Sequence, residues 1–144
     1  MKRCTRRLEF DAAHRVMRHE SKCRNLHGHR YIVALTVEAP ELDDVGRVID
    51  FSVLKGVVGR WIDDHWDHGT ILCDQDLSLL GLLTDEDWKR YTLPVNPTAE
   101  NMVEELHRVA SDLLDPYGIR VAHVRLYETP NCWSDYSPSQ ETSP

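Results

Sequence analysis

The sequence predicts an α+β fold in which a mainly antiparallel sheet carries two helices on one face. Three observations point there: long strand-like runs near the N-terminus, then two segments with helical apolar spacing, then one more alternating strand. No regular strand–helix–strand alternation of a parallel sheet connects them. The other face of the sheet, or one of its edges, would then need a partner subunit. A length of 144 residues suits one domain, able to bury a core without a metal or disulfide staple. Residues 1–133 are read as that domain and 134–144 as a polar C-terminal tail, frayed or disordered.

Each element has its own signal. Residues 6–14 alternate, with Leu8, Phe10, Ala12 and His14 on one side, which predicts a strand. Residues 15–26 are polar and irregular, a loop holding Cys23. Residues 27–39 are rich in β-branched side chains and predict a long second strand. A turn follows at 40–44 and a short extended piece at 46–50. The period then changes: Phe51, Leu54, Val57, Val58, Trp61 and Ile62 fit a helix capped by Asp50 or Ser52 and ending near Asp64. Residues 65–95 are mixed, with a short helix at 77–83. Asn96-Pro97-Thr98 opens a second main helix, with either Asn96 or Thr98 as cap. Its apolar stripe runs from Met102 and Val103 through Leu106, Val109 and Ala110 to Leu113 and Leu114, and Tyr117-Gly118 stops it. In a last strand at 119–128, Ala122, Val124, Leu126 and Glu128 share a face.

Charge and hydropathy exclude several classes. Seventeen Lys and Arg against 24 Asp and Glu give a net charge of −7, the wrong sign for a protein that coats nucleic acid. No apolar run approaches the ~18–20 residues that span a bilayer, so no membrane association is expected. The basic N-terminus runs directly into Leu8-Glu9-Phe10-Asp11, without the apolar stretch of a secretory signal, and a cytoplasmic address is expected. Cys4, Cys23, Cys73 and Cys132 show no C-x-x-C spacing and are expected to stay unpaired.

The histidines carry the chemistry. His27 and His29 stand two apart at the start of a strand, so both rings project from one face. His14 ends the preceding strand in register; if the two strands are neighbours, three rings converge on one rim. Three neutral imidazoles suit Zn²⁺ and leave a coordination position open, and Gly28 between the ligands permits close approach. Cys23 has two readings. It could be a fourth ligand that closes a structural site, or a free reactive thiol favoured as thiolate by flanking Lys22 and Arg24. Adjacent Asp67 and His68 can form a carboxylate–imidazole pair, whereas Asp63 and Asp64 read as a solvated helix end. Glu128, on an otherwise apolar strand face, could accept two hydrogen bonds from an amidine-like edge such as a 2-aminopyrimidinone.

Together, Phe10-x-Ala-Ala-His14, Cys23-x-x-x-His27-Gly-His29, Gly46-x-Val-x-Asp50-Phe51, Asp67-His68, Asn96-Pro-Thr-x-Glu100 and Glu128-Thr129 resemble the 6-pyruvoyltetrahydropterin synthase / 6-carboxytetrahydropterin synthase family. The likeness runs in order from about residue 7 to 133. It implies the tunnelling fold: a four-stranded antiparallel sheet with two helices on one side, assembled as an oligomeric barrel of trimers or hexamers with sites between subunits. It implies zinc on His14, His27 and His29, with Cys23 as catalytic base and Asp67 with His68 as the pair handling the other proton. Glu128 would anchor the pterin ring, with Thr98 and Thr129 as further substrate contacts. The implied substrate is 7,8-dihydroneopterin 3′-triphosphate, which a 6-carboxy-5,6,7,8-tetrahydropterin synthase converts to 6-carboxytetrahydropterin on the route to queuosine and other 7-deazaguanines. The Cys-x-x-x-His-Gly-His element is shared with the triphosphate-eliminating pyruvoyl-forming enzyme, which is the alternative. Remoter alternatives are a non-enzymatic zinc-stabilised scaffold and a metal-free pterin aldolase. Residues 69–95 are longer than in compact members of the family, and Arg15, Lys22, Arg24 and Arg30 are the candidates to meet a triphosphate.

Overall fold

Alternation along Arg3–His14 (β1) turns Leu8, Phe10, Ala12 and His14 inward and leaves Arg7, Glu9, Asp11 and Ala13 on the outer face. In the computed structural model, which describes residues 1–139, β1 pairs antiparallel with His27–Glu38 (β2) from Arg3↔Glu38 to His14↔His27. That register places two of the histidines directly opposite each other. Residues 140–144 of the expected tail lie outside the described residues.

Gly69–Cys73 (β3), Arg90–Leu93 (β4), Arg120–Thr129 (β5) and Cys132–Tyr136 (β6) complete one six-stranded sheet of order β4-β3-β1-β2-β5-β6. The expected four-stranded antiparallel sheet is corrected: β1, β2 and β5 are strands the sequence placed, β6 was not expected as a strand, and the full sheet has six strands and is mixed. Strand β3 runs parallel to β1, and β4 parallel to β3. These two strands escaped the sequence reading because β3 is buried on both faces and shows no alternation. The short helix Leu77–Asp85 (α2), capped by Asp76, provides the crossover between them.

Two further expectations are corrected. Residues 46–50 form no strand: the Asp43 carboxylate accepts the amides of Val45 and Arg47, and Gly46 at φ 91° turns the chain. The polar tail does not begin at Ser134, because β6 continues to Tyr136, with Ser134 paired to Leu126 and Tyr136 to Val124.

Phe51–Leu54, a π turn at Lys55–Gly59 and Arg60–His65 form a continuous helix, 51–65 (α1), started by Asp50 accepting the Ser52 amide. Ala99–Leu114 (α3) is capped by Thr98, which accepts the Asn101 amide; Asn96 instead binds both the N–H and the C=O of Met17. Leu54, Val58 and Ile62 of α1 and Met102, Leu106 and Ala110 of α3 pack against Phe10, Tyr31, Val33 and Leu126 of the sheet. No helix among the described residues is long and apolar enough to cross a membrane.

At the sheet end remote from the histidines, Glu38 is buried between Arg3 and Arg120. The hydrogen bond from Arg3 holds its carboxyl below the usual glutamate range; burial opposes this and Arg120 adds to it. A depressed folded pKa means stability that is full above the unfolded glutamate value and lost as pH falls through the folded one. Glu38→Gln should therefore melt below the wild type at neutral pH. Melts repeated in acid should show the two proteins converging.

Candidate metal centre and active site

His14 closes β1 opposite His27, and His29 follows on the same face of β2. Their ring centroids lie 4.7 Å (His14–His27), 5.1 Å (His14–His29) and 4.8 Å (His27–His29) apart. One ligand atom from each of the three falls within 4.8 Å of the others. The backbone fixes two of the tautomers. Nδ1–H of His14 donates to the Pro97 carbonyl at 2.7 Å and that of His27 to the Asn25 carbonyl at 2.6 Å, which turns both Nε2 lone pairs toward the shared space. Nε2 of His14 and Nε2 of His29 are buried with no hydrogen-bond partner among the described residues. A divalent cation satisfies such a donor set, so the residues fit a metal ion.

Electrostatics agree. Burial pushes the His14 imidazole below its ordinary range, against the upward pull of the Pro97 carbonyl and Glu128. Burial also lowers His29, again opposed by Glu128. Both rings are held neutral, the form that binds metal. Glu128 Oε1 stands 3.4 Å from His29 Nε2 and adds negative charge at the rim. Gly28 is needed for the backbone: a Cβ there would sit 3.2 Å from the Ala12 carbonyl oxygen, so glycine lets β1 and β2 close up under the histidines.

Cys23 sits on a 3₁₀ turn, Lys22–Arg24, outside the histidine cluster. It lines a cavity of about 230 Å³ together with His14, Thr98 and Glu128. The loop that carries it is held by Val16 donating to the Cys23 carbonyl, by Asn96 on Met17, and by Arg15 on Asp76. The four cysteines are all free.

Asp67 and His68 are joined to each other, His68 Nδ1 lying 2.7 Å from Asp67 Oδ2, while Asp67 Oδ1 accepts the Asp11 amide at 2.9 Å. Burial would raise the Asp67 carboxyl, but the Asp11 amide, His68 and Lys89 outweigh it and hold it low. Within one chain the pair does not reach Cys23. His68 opens into a second cavity, of about 600 Å³, bounded by Asp11, Ala13, Gly28 and Arg30, the outward alternates of β1 and β2.

The remaining expected contacts divide. Thr98 lines the Cys23 cavity, although its hydroxyl also caps α3. Thr129 does not line it; its Oγ1 accepts the Asn131 amide in the turn to β6. Arg15 is committed to Asp76 and Ser78, and Arg30 to Asp11. Lys22 and Arg24 have no carboxylate partner among the described residues. The sequence reading missed Tyr31, fully buried beneath His29 at 5.5 Å and stacked on Phe10 at 4.9 Å. Burial pushes its phenol pKa up, and its hydroxyl has no partner among the described residues. Its place two residues beyond His29, on the same strand face, was the available signal. The carbonyls of Pro97 and Asn25 carry no such signal, because any residue supplies one.

A family model described as 6-pyruvoyl tetrahydropterin synthase matches residues 3–139. The chain is 41% identical over 135 residues to a 6-carboxy-5,6,7,8-tetrahydropterin synthase of Rickettsia felis, covering 92% of this chain and 98% of the relative. By fold it is similar to an uncharacterized protein from Wolinella succinogenes, with a TM-score of 0.82 at 23% identity, covering 96% of this chain and 98% of that one. It also resembles the 6-pyruvoyl tetrahydropterin synthase of Caenorhabditis elegans, with a TM-score of 0.69 at 22% identity, covering 96% of each chain. With the match running from the first strand through the last, and a relative covered almost end to end, the chain belongs to the 6-pyruvoyl tetrahydropterin synthase family.

Proposed function

We propose that this chain is a zinc-dependent 6-carboxy-5,6,7,8-tetrahydropterin synthase. It would convert 7,8-dihydroneopterin 3′-triphosphate and one water to 6-carboxytetrahydropterin, releasing acetaldehyde and triphosphate, as a step toward 7-deazaguanines. The observation that carries this reading is the convergence of three imidazoles beside a cavity that also holds a thiol outside their cluster. The names borne by relatives at 38–41% identity support the carboxy-forming branch.

His14, His27 and His29 would hold the ion, whose contribution is Lewis-acid stabilisation of negative charge on the side-chain oxygens of the substrate. Cys23 removes a proton from that side chain. Glu128, facing the same cavity, accepts hydrogen bonds from the 2-amino and N3 edge of the pterin and so fixes which carbon faces the thiol. Thr98 adds a contact at the same wall, and Thr129 is a weaker candidate from the adjoining turn. Lys22 and Arg24, without a carboxylate partner among the described residues, meet the triphosphate. Asp67 and His68 form the second proton-handling pair. Because His68 opens onto the outer face, a neighbouring copy of the chain must bring the pair to Cys23, which supports a homo-oligomer, a trimer or hexamer.

Mass spectrometry of the products from dihydroneopterin triphosphate tests the assignment. A carboxylated pterin with acetaldehyde is expected. A pyruvoyl product without acetaldehyde would move the chain to the other branch of the family, and no turnover by metal-loaded protein would remove the reading altogether.

A further inference from the structure

The segment between β3 and β4 is tied down at two points, each beside a group of the proposed site. At one end Asp76, buried at the start of α2, takes a bidentate pair from Arg15, the residue after His14. At the other end the turn after α2 delivers Lys89, whose side chain reaches back across the end of α1. Its Nζ donates to the Asp63 carbonyl at 2.6 Å and to the Asp67 carbonyl at 2.5 Å.

Those two oxygens need a donor. The amides of Trp66 and Asp67 both turn to the Ile62 carbonyl, so the Asp63 carbonyl receives no helical amide where the helix ends. The chain then passes through His68 at φ 59°, a left-handed conformation that a side chain disfavours. The path of Lys89 is specific. A Cβ on Gly69 would lie 3.1 Å from Lys89 Cγ and 3.3 Å from the Trp66 carbonyl, so the stem crosses where the main chain has no side chain. The Lys89 carbonyl also accepts the Thr70 amide, which fixes both ends of the residue. Lys89 forms no ion pair with a carboxylate among the described residues.

We infer that Lys89 is a positioning residue for the Asp67–His68 pair: by bridging the Asp63 and Asp67 carbonyls it holds His68 in the left-handed turn that presents its imidazole to the outer cavity. This deepens the proposed function and rests on it for the catalytic use of the pair; the placement of His68 does not.

Three variants in the metal-loaded, full-length oligomer separate the possibilities. Lys89→Met keeps the stem and removes the ammonium, Gly69→Ala keeps the ammonium and displaces the stem, and Lys89→Arg keeps the charge. Lys89→Met and Gly69→Ala should each lower kcat roughly tenfold or more, the scale of a misplaced proton-transfer group, with KM within about twofold and metal content unchanged. Lys89→Arg should recover part of the loss. In substrate-free protein labelled at histidine with ¹⁵N, the His68 ring signals should move in Lys89→Met and stay near wild type in Lys89→Arg. Unchanged kcat and unmoved His68 signals in Lys89→Met would overturn the inference. So would equal loss of kcat, metal and fold in all three variants, which would mark a structural role alone. If the His68 signals shift as expected while even wild-type protein turns over no pterin, the positioning stands and the functional reading fails.

Discussion

Cys23→Ala should lose turnover by roughly 10²–10⁴-fold, the range for removing a positioned general base, while keeping its metal and its melting temperature. The expectation follows from where the thiol sits. Cys23 lines the cavity beside His14 and Glu128, but among the described residues the group of atoms close enough to share an ion comprises His14, His27 and His29 without it. It lies on a surface turn held by backbone and by Asn96, not in the core, so truncating it removes little packing. A fourth-ligand role predicts the opposite pattern, in which alanine strips the metal and lowers the melting temperature together. Metal content, melting temperature and kcat measured on one preparation decide between these two roles.

Removing a histidine should produce the complementary result. His14→Ala and His29→Ala should each yield protein without bound metal and without turnover, and His14→Ala should cost more stability. His14 is 1% exposed and its Nδ1–H satisfies the Pro97 carbonyl; leaving a buried acceptor orphaned costs about 1–3 kcal/mol beyond the lost packing. The pH dependence has a definite sign. Burial lowers the folded pKa of His14 and His29 below the ordinary 6.5. Protons therefore bind the unfolded chain more readily, and this stability is complete above the unfolded value and lost as pH falls toward the folded one. Metal binding moves the same way, because the ligands must be neutral. Titration from neutral pH downward should show metal release and a falling melting temperature together, with the pH-dependent loss reduced in His14→Ala.

Much of this site could be read from residue order. Alternation through Leu8, Phe10, Ala12 and His14, followed by His27 and His29 at the start of a β-branched run, predicts two strands whose rings converge if they are neighbours, and the observed antiparallel register sets His14 against His27. The apolar stripe of α3 was equally legible, whereas its cap was narrowed only to Asn96 or Thr98, of which the structure uses Thr98. Other features depended on contacts distant in sequence. Strand β3 shows no alternation because both its faces are covered, and β4 is only four residues long, too short for its alternation to stand out. The carbonyls that orient His14 and His27 belong to backbone at Pro97 and Asn25, where side-chain identity says nothing. Of four basic residues near the site, Arg15 and Arg30 are neutralised by Asp76 and Asp11, one of them in the long segment whose role the sequence left open. The separation of Asp67–His68 from Cys23 onto opposite sides of β1 and β2 follows from the alternation of the strands only once their pairing is known.

X-ray absorption at the zinc edge, on protein loaded with one equivalent of zinc and free of substrate, tests the metal centre most directly. Three imidazole nitrogens with an oxygen completing the shell at about 2.0–2.1 Å, and no sulfur, are expected. A sulfur scatterer at about 2.3 Å, present in wild type and absent in Cys23→Ala, would show the thiol bound to the ion and contradict its role as base.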